Sequence, residues 1–269
     1  MLKILEEWFN NIDSAIVAYS GGVDSTLVAY VAKKVLKNRM LAITIKTPFV
    51  KNKEIEYAKN KANSLGINHR ILEINLPEII MENPYDRCYI CKKHIINELK
   101  KIAKEFGYNF IIDGTNYDDI KENRLGIRAI IEENVKSPLL ELKFGKKEII
   151  ELSKEIGLDY EKPSSPCLIT RFPYGYKIRK EDIDMVIKAE EILEKEGFKI
   201  IRVRHFKNIA KIEVGREEIS KFLQEGLRER ILKEFKDIGY KIVTLDLEGY
   251  ISGKMDFNTE YLNHLYLTK

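Results

Sequence analysis

Cysteine is scarce in this 269-residue chain, with three in all. That excludes a disulfide scaffold, which needs many more. Proline and glycine are sparse as well, at 7 and 15 residues, too few for a disordered or fibrous polypeptide. No apolar run approaches the ~20 residues of a membrane-spanning helix. The opening stretch carries Glu6 and Glu7 where a signal peptide needs an unbroken apolar segment, so a cytoplasmic location and no membrane partner are expected. An excess of one charge is missing too: 46 Lys+Arg stand against 42 Asp+Glu, a formal net charge of +4. That accommodates an anionic small molecule without marking a nucleic-acid binder. The lysine pairs Lys33-Lys34, Lys92-Lys93, Lys100-Lys101 and Lys146-Lys147 are interleaved with glutamates and read as solvated helix faces. No nucleic-acid partner is expected.

What the chain does have is alternation. Apolar runs at Ser14–Tyr19, Met40–Lys46, Arg70–Ile74 and Phe110–Asp113 predict strands, and 3.6-residue periodicity predicts helices at Ser25–Lys37, Asn52–Leu65, Ile90–Phe106, about Lys121–Glu133 and Lys146–Ile156. Strands separated by helices predict an α/β fold, an open and mostly parallel sheet with helices on both faces. The pattern breaks in the Pro/Ser-rich stretch Glu161–Tyr176. After it, a helix at Glu181–Glu196, strands at Lys199–Val203 and Ala210–Val214, a helix near Glu217–Phe235 and a strand at Lys241–Leu245 predict a small α+β domain. The expected organisation is 1–160, a functional linker 161–176 carrying Cys167, and 177–269.

The segment Tyr19-Ser-Gly-Gly-Val-Asp-Ser-Thr26 falls between a predicted strand and a helix N-terminus. Gly21 and Gly22 allow a tight turn that presents bare amides to an anion, and the helix end adds partial positive charge. Ser20, Ser25 and Thr26 supply hydroxyls. Asp24 beside a polyphosphate is repulsive unless a cation intervenes, which points to Mg²⁺ held by its carboxylate. The lysine of the Walker loop is missing. The segment instead resembles the SGGxDS loop of the N-type ATP pyrophosphatases, which bind ATP, leave its α-phosphate open to attack and release pyrophosphate.

Further stretches resemble one family of that superfamily, the LarE-type ATP-dependent sulfur transferases. They are Asp86-Arg-Cys-Tyr-Ile-Cys-Lys92, Asp113-Gly-Thr-Asn-Tyr-Asp-Asp119, Gly126-Ile-Arg-Ala129 with Ser137–Glu141, Lys162–Gly175, Ile201-Arg-Val-Arg-His205 and Thr244–Tyr250. The resemblance implies adenylylation of a carboxylate on a pyridinium dicarboxylate mononucleotide, a small carboxylated nucleotide. Sulfur then replaces AMP on the way to a nickel-pincer nucleotide. It also implies nucleotide contacts from Gly114, Asp118 and Arg128, a substrate-phosphate site at Arg202 and Arg204, a catalytic role for Asp24 and Cys167, and a homo-oligomer. Family members that sacrifice a cysteine need only the one matching Cys167. Cys88 and Cys91 match a three-cysteine branch whose thiolates hold a [4Fe-4S] cluster that takes up sulfide or another sulfur donor.

The residues themselves leave alternatives open. A thiolate pair at i, i+3 faces one side of a helix, and a third thiolate leaves one metal position uncommitted. Cys88, Cys91 and His94 with Cys167 also compose a zinc set, the secondary alternative, and three structural thiols are the plainest reading. Asp118 serves either the cation or a helix cap. Arg202 and Arg204 share one strand face, suited to a phosphate or to solvent. His205 reads equally as a surface histidine or a functional group. A tRNA thiolase and an ammonia-using amide synthetase use the same activation chemistry.

Overall fold

The apolar run Ala15–Ala18 forms the first strand, β1, inside a four-stranded parallel sheet and buried on both faces. Such burial is what an unbroken apolar strand requires. The computed structural model describes residues 1–121, 125–160 and 166–257. They form two units, Met1–Ile80 with Asp86–Ser165, and Met81–Tyr85 with Pro166–Lys269.

In the first unit the strands β1, β2 (Met40–Lys46), β3 (His69–Glu73) and β4 (Phe110–Ile112) are ordered β3-β2-β1-β4, and Ala15 aligns with Met40 on one side and Phe110 on the other. The helices are α1 (Leu2–Phe9), α2 (Val23–Leu36), α3 (Asn52–Ser64), α4 (Arg87–Phe106), α5 (Tyr117–Lys121), α6 (Leu125–Glu132), α7 (Pro138–Glu141) and α8 (Lys146–Glu155). Ala15 and Val17 pack with Leu27 and Val31 of α2 and Ile149 and Leu152 of α8. Ile16 joins Leu41, Ile43, Ile96 and Leu99 of α4 and Ile130 of α6 in a separate cluster. The expected α/β architecture is therefore present. β2 and β4 flank β1 on opposite sides, so the chains leaving β1 and β4 part at their C-terminal ends. That is where ligands of open α/β sheets bind.

Two boundaries differ informatively. α4 starts at Arg87, a turn ahead of the predicted Ile90, because the Ile90 amide already bonds the Asp86 carbonyl at 3.1 Å. Cys88 and Cys91 consequently lie on helix. The helix expected about Lys121–Glu133 corresponds to α5 and α6, with 122–124 outside the described residues.

The second unit contains α9 (Lys180–Lys195), β5 (Ile201–Phe206), β6 (Ile209–Val214), α10 (Leu227–Ile238) and β7 (Ile242–Leu245). β5 and β6 are antiparallel and β7 runs parallel to β6. Leu193, Val203, Ala210, Ile231 and Phe235 share its core. β5 begins at Ile201 rather than Lys199 because the Lys199 and Ile200 amides donate to the Glu218 carboxylate at 2.9 and 3.1 Å instead of to a strand. The helix expected over Glu217–Phe235 is corrected to a 3₁₀ segment, Arg216–Leu223, followed by α10. Gly226 at φ +75° stands between them in the left-handed conformation that interrupts a helix. Met81–Tyr85, expected within the first domain, is a strap on this second unit. Buried Asn83 donates to the carbonyls of Phe172 and Pro173 at 3.2 and 2.6 Å. Of the expected linker, 161–165 lie outside the described residues, and Leu168–Arg171 form a 3₁₀ turn. Among the described residues no helix is long and apolar enough to cross a membrane.

Candidate active site

The loop between β1 and α2 is built from glycine and serine. Gly21 has φ +75°, and a Cβ there would lie 2.9 Å from the Ala58 Cα of α3, so only glycine fits. Gly22 is the N-cap of α2. Its amide donates to Ser20 Oγ at 3.3 Å, while Ser25 Oγ donates to the Gly22 carbonyl at 3.2 Å and shares a 3.1 Å hydrogen bond with Ser20 Oγ. The first-turn amides of α2 follow, with the positive end of the helix dipole behind them. Thr26 is fully buried.

Gly114 follows β4 and crosses the start of α2. A Cβ there would meet the Ser25 backbone nitrogen at 2.8 Å. Its place beside the phosphate loop thus has a steric reason. Asp113 fixes the same stretch, accepting from Ser137 Oγ at 2.7 Å and Thr115 Oγ1 at 2.7 Å.

Asp24 projects from the first turn of α2, and both its oxygens accept from Lys146 Nζ at 2.9 Å. Burial raises the Asp24 pKa above the ordinary carboxylate range, and Lys146 opposes that rise. The expectation of a merely solvated Lys146-Lys147 pair is corrected here: Lys146 opens α8 and its ammonium holds the motif's carboxylate. Its signal in the sequence is a lysine in the first turn of a helix, where the dipole disfavours it. Asp118 accepts from the Lys146 amide at 2.8 Å and so sits at the N-terminus of α8. The Asn116 side chain accepts from the Asp118 and Asp119 amides at 2.9 and 3.2 Å, a local cap on α5.

On α4, Cys88 is exposed and Cys91 half-buried, and none of the three cysteines is in a disulfide. His94 Nε2 lies 2.8 Å from the Asn75 carbonyl, an acceptor only, so that nitrogen carries the proton. Arg128, on α6, donates to Glu132 at 2.7 Å and stacks over the Tyr89 ring at 5.0 Å. Glu132 also accepts from Tyr89, which with Arg128 and Lys93 holds its pKa down to about 2. Two thiols on one turn fit metal ligation in type and spacing. Among the described residues, however, no three His, Cys, Asp or Glu side chains are gathered as a metal site. Cys88 and Cys91 belong to the first unit and Cys167 to the second.

In the second unit the two strand arginines differ. Arg204 is 4 % exposed, with Nε and Nη2 on Glu213 at 2.9 and 2.7 Å and Nη1 on the Thr170 carbonyl at 2.8 Å. Arg202 is half-buried, stacks 4.7 Å above Tyr250 and donates to the Ile201 carbonyl at 2.6 Å. Burial lowers its pKa, with Arg171 adding to the effect. His205 is not a surface residue. It is fully buried between the hydroxyls of Tyr176 and Tyr240, at 3.2 and 3.1 Å, and burial depresses its pKa to about 4. Glu190 and Glu213, neither of which the sequence marks with a role, hold arginines here. Glu190 falls in the apolar stripe Ile183, Val186, Leu193 of α9, and a carboxylate in such a stripe is itself a signal.

A parallel sheet that delivers an SGGxDS loop to a helix N-terminus at its switch point defines an ATP-using enzyme of the pyrophosphate-loop class. A family model described as NAD synthase matches residues 4–104. An uncharacterized protein of Synechocystis is 42 % identical over 95 % of this chain and 96 % of its own, and one of Methanocaldococcus jannaschii 38 % over 92 % and 94 %. Pyridinium-3,5-bisthiocarboxylic acid mononucleotide synthase of Lactiplantibacillus plantarum is 33 % identical over 91 % of this chain and 90 % of its own. The chain belongs to the LarE-type family within that class.

Proposed function

We propose that this protein is an ATP-dependent sulfur transferase acting on a carboxylate of a pyridinium dicarboxylate mononucleotide. The observation that carries the reading is an exposed Cys167 in a chain whose first unit keeps an intact pyrophosphate loop. A carboxylate oxygen of the substrate attacks the α-phosphorus of ATP, the α–β bridging P–O bond breaks, and pyrophosphate leaves. Gly21, Gly22 and the amides opening α2 hold the departing phosphates. Mg²⁺ fits Asp24, whose two oxygens already bind a cation in Lys146; when bound there it neutralises charge on the polyphosphate. Sulfide sulfur then attacks the acyl carbon, the bond to AMP breaks, AMP takes the electron pair, and loss of the sulfur-borne proton leaves a thiocarboxylate. Arg202, stacked on Tyr250, is the guanidinium we assign to the substrate phosphate.

Cys88, Cys91 and Cys167 are the residues that would hold a [4Fe-4S] cluster, with zinc as the alternative occupant. Such a cluster supplies an exchangeable iron position for sulfide and spares Cys167. What supports the grouping is the chemistry of the residues, two thiols one helical turn apart and a third exposed thiol at Cys167. Anaerobically purified protein should contain iron and acid-labile sulfide, lose both on Cys88→Ala, and form thiocarboxylate and pyrophosphate from MgATP, sulfide and the mononucleotide with Cys167 unchanged in mass. A Cys167 lighter by one H₂S after one turnover would replace the cluster with a sacrificed cysteine. An amide formed with ammonia, and no thiocarboxylate with sulfide, would overturn the whole reading.

A further inference from the structure

Two buried ion pairs of the second unit end on one short turn. Cys167 precedes the 3₁₀ turn Leu168–Arg171, and its side chain is exposed while Leu168, Ile169 and Arg171 are buried. The Cys167 carbonyl accepts twice from Thr170, from the amide at 3.1 Å and from the hydroxyl at 2.9 Å. That hydroxyl accepts from Arg171 Nη1 at 2.9 Å. Arg171 forks onto the Glu190 carboxylate through Nε and Nη2 at 2.7 and 3.3 Å, and Glu190 also accepts the Val203 amide of β5 at 3.1 Å. From β5 itself, Arg204 reaches the Thr170 carbonyl while its other nitrogens grip Glu213.

A buried ion pair is weak evidence for stability, because desolvation offsets the attraction. What a guanidinium fork supplies is direction. The turn is tied at two points: the Arg171 fork anchors it to Glu190 of α9, and Arg204 of β5, itself forked onto Glu213, places Nη1 on its Thr170 carbonyl. We propose that Thr170, Arg171 and Arg204 are positioning residues for Cys167: the forks fix the turn, and the Thr170 hydroxyl passes that order to the Cys167 backbone. The Cα–Cβ direction from which the exposed thiol projects is thereby fixed for sulfur delivery, where a displacement of about 1 Å can cost ~10²-fold in rate. The inference rests on the proposed role of Cys167 in sulfur transfer.

Thr170→Val and Thr170→Ser in the full chain test it, since valine keeps the volume and removes the hydroxyl while serine keeps the hydroxyl. The readouts are the peptide-resolved rate of iodoacetamide alkylation of Cys167 at one fixed pH in the metal-free full chain, with Cys88 and Cys91 as internal references, and the kcat and KM of thiocarboxylate formation. Thr170→Val should change Cys167 alkylation and lower kcat by about 3–10-fold, the worth of one hydrogen bond. KM for ATP and the reference cysteines should not move, and Thr170→Ser should restore wild-type behaviour. Cys167 alkylation and kcat in Thr170→Val equal to wild type would overturn the proposal. A changed alkylation rate of Cys167 in Thr170→Val together with full turnover in Cys167→Ala would leave the positioning intact and remove the sulfur role, so the two failures are distinguishable.

Discussion

Asp24–Lys146 in the first unit and Arg204–Glu213 in the second are both cation–carboxylate pairs involving candidate site residues, yet they are built differently. The first is open, with side chains 26 % and 49 % exposed, and the second is sealed, at 0 % for the carboxylate and 5 % for the guanidinium. A pair partly open to solvent is worth less than a sealed one, and under the proposed function Asp24 would exchange the ammonium for a divalent cation. A sealed pair cannot be opened without leaving a buried charge uncompensated. The same chemistry therefore makes an exchangeable ligand in one unit and a fixed strut in the other.

The sharpest test of that contrast is Glu213→Ala, which strands Arg204 and should destabilise the second unit by about 3–5 kcal/mol in urea unfolding. Arg202→Ala, on the same strand, breaks no buried pair. It should weaken binding of a phosphorylated substrate while leaving most of the stability in place. Comparable stability losses in the two variants would erase the distinction between the arginines. Next in size is Asp24→Asn. Removing one charged ligand from a cation–polyphosphate site should slow ATP-dependent pyrophosphate release by ~10²–10³-fold, with the unfolding midpoint near that of wild type. Full pyrophosphate release in this variant would take Asp24 out of the mechanism.

The contrast also explains what could be read in the sequence. The phosphate loop is contiguous, and its glycines, serines and aspartate announce themselves in eight residues, as do the strands that carry them. Lys146 lies 122 residues from Asp24, and no periodicity links them. Only its awkward place in the first turn of α8 marks it. Arg204 looked like a partner of Arg202 because strand alternation puts both on one face. Which of the two is sealed depends on Glu213 across the hairpin and on the Thr170 carbonyl, 34 residues away. The helix expected over Glu217–Phe235 failed for a local reason, since the left-handed conformation of Gly226 outweighs apolar periodicity on both sides of it.

Burial also makes the second unit acid-sensitive. His205 has a folded pKa of about 4, below its ordinary value near 6.5, because burial disfavours the charged ring. The unfolded chain therefore takes up the proton first as pH falls. Stability is complete above about 6.5 and declines toward about 4, a loss on the order of 3 kcal/mol. Asp182, held low by Arg179 against the opposing effect of burial, extends the loss to lower pH. Hydrogen exchange over this range should accelerate in β5 and α9 before the fluorescence of Trp8, the chain's one tryptophan and a residue of the first unit, changes. His205→Gln should flatten the slope. An unchanged slope in that variant would move the sensitivity elsewhere.

The smallest expected effect belongs to Lys146, and it is the one that shows the open pair to be exchangeable. Lys146→Ala should alter stability by less than about 1 kcal/mol, because the ammonium is half-exposed and the half-buried Asp24 is still reached by solvent screening. Its consequence lies in protonation. Burial already raises the Asp24 pKa, and Lys146 opposes that rise through its hydrogen bond and its charge. Without the ammonium the pKa climbs further, so more of the carboxylate is protonated at a given pH and unable to bind a cation. The acid limb of kcat/KM for ATP should therefore move to higher pH in Lys146→Ala, and saturating Mg²⁺ should move it part of the way back by competing with the proton for Asp24. An acid limb that stays in place would mean that Lys146 does not govern the charge of Asp24, and the difference between the two pairs would reduce to one of exposure.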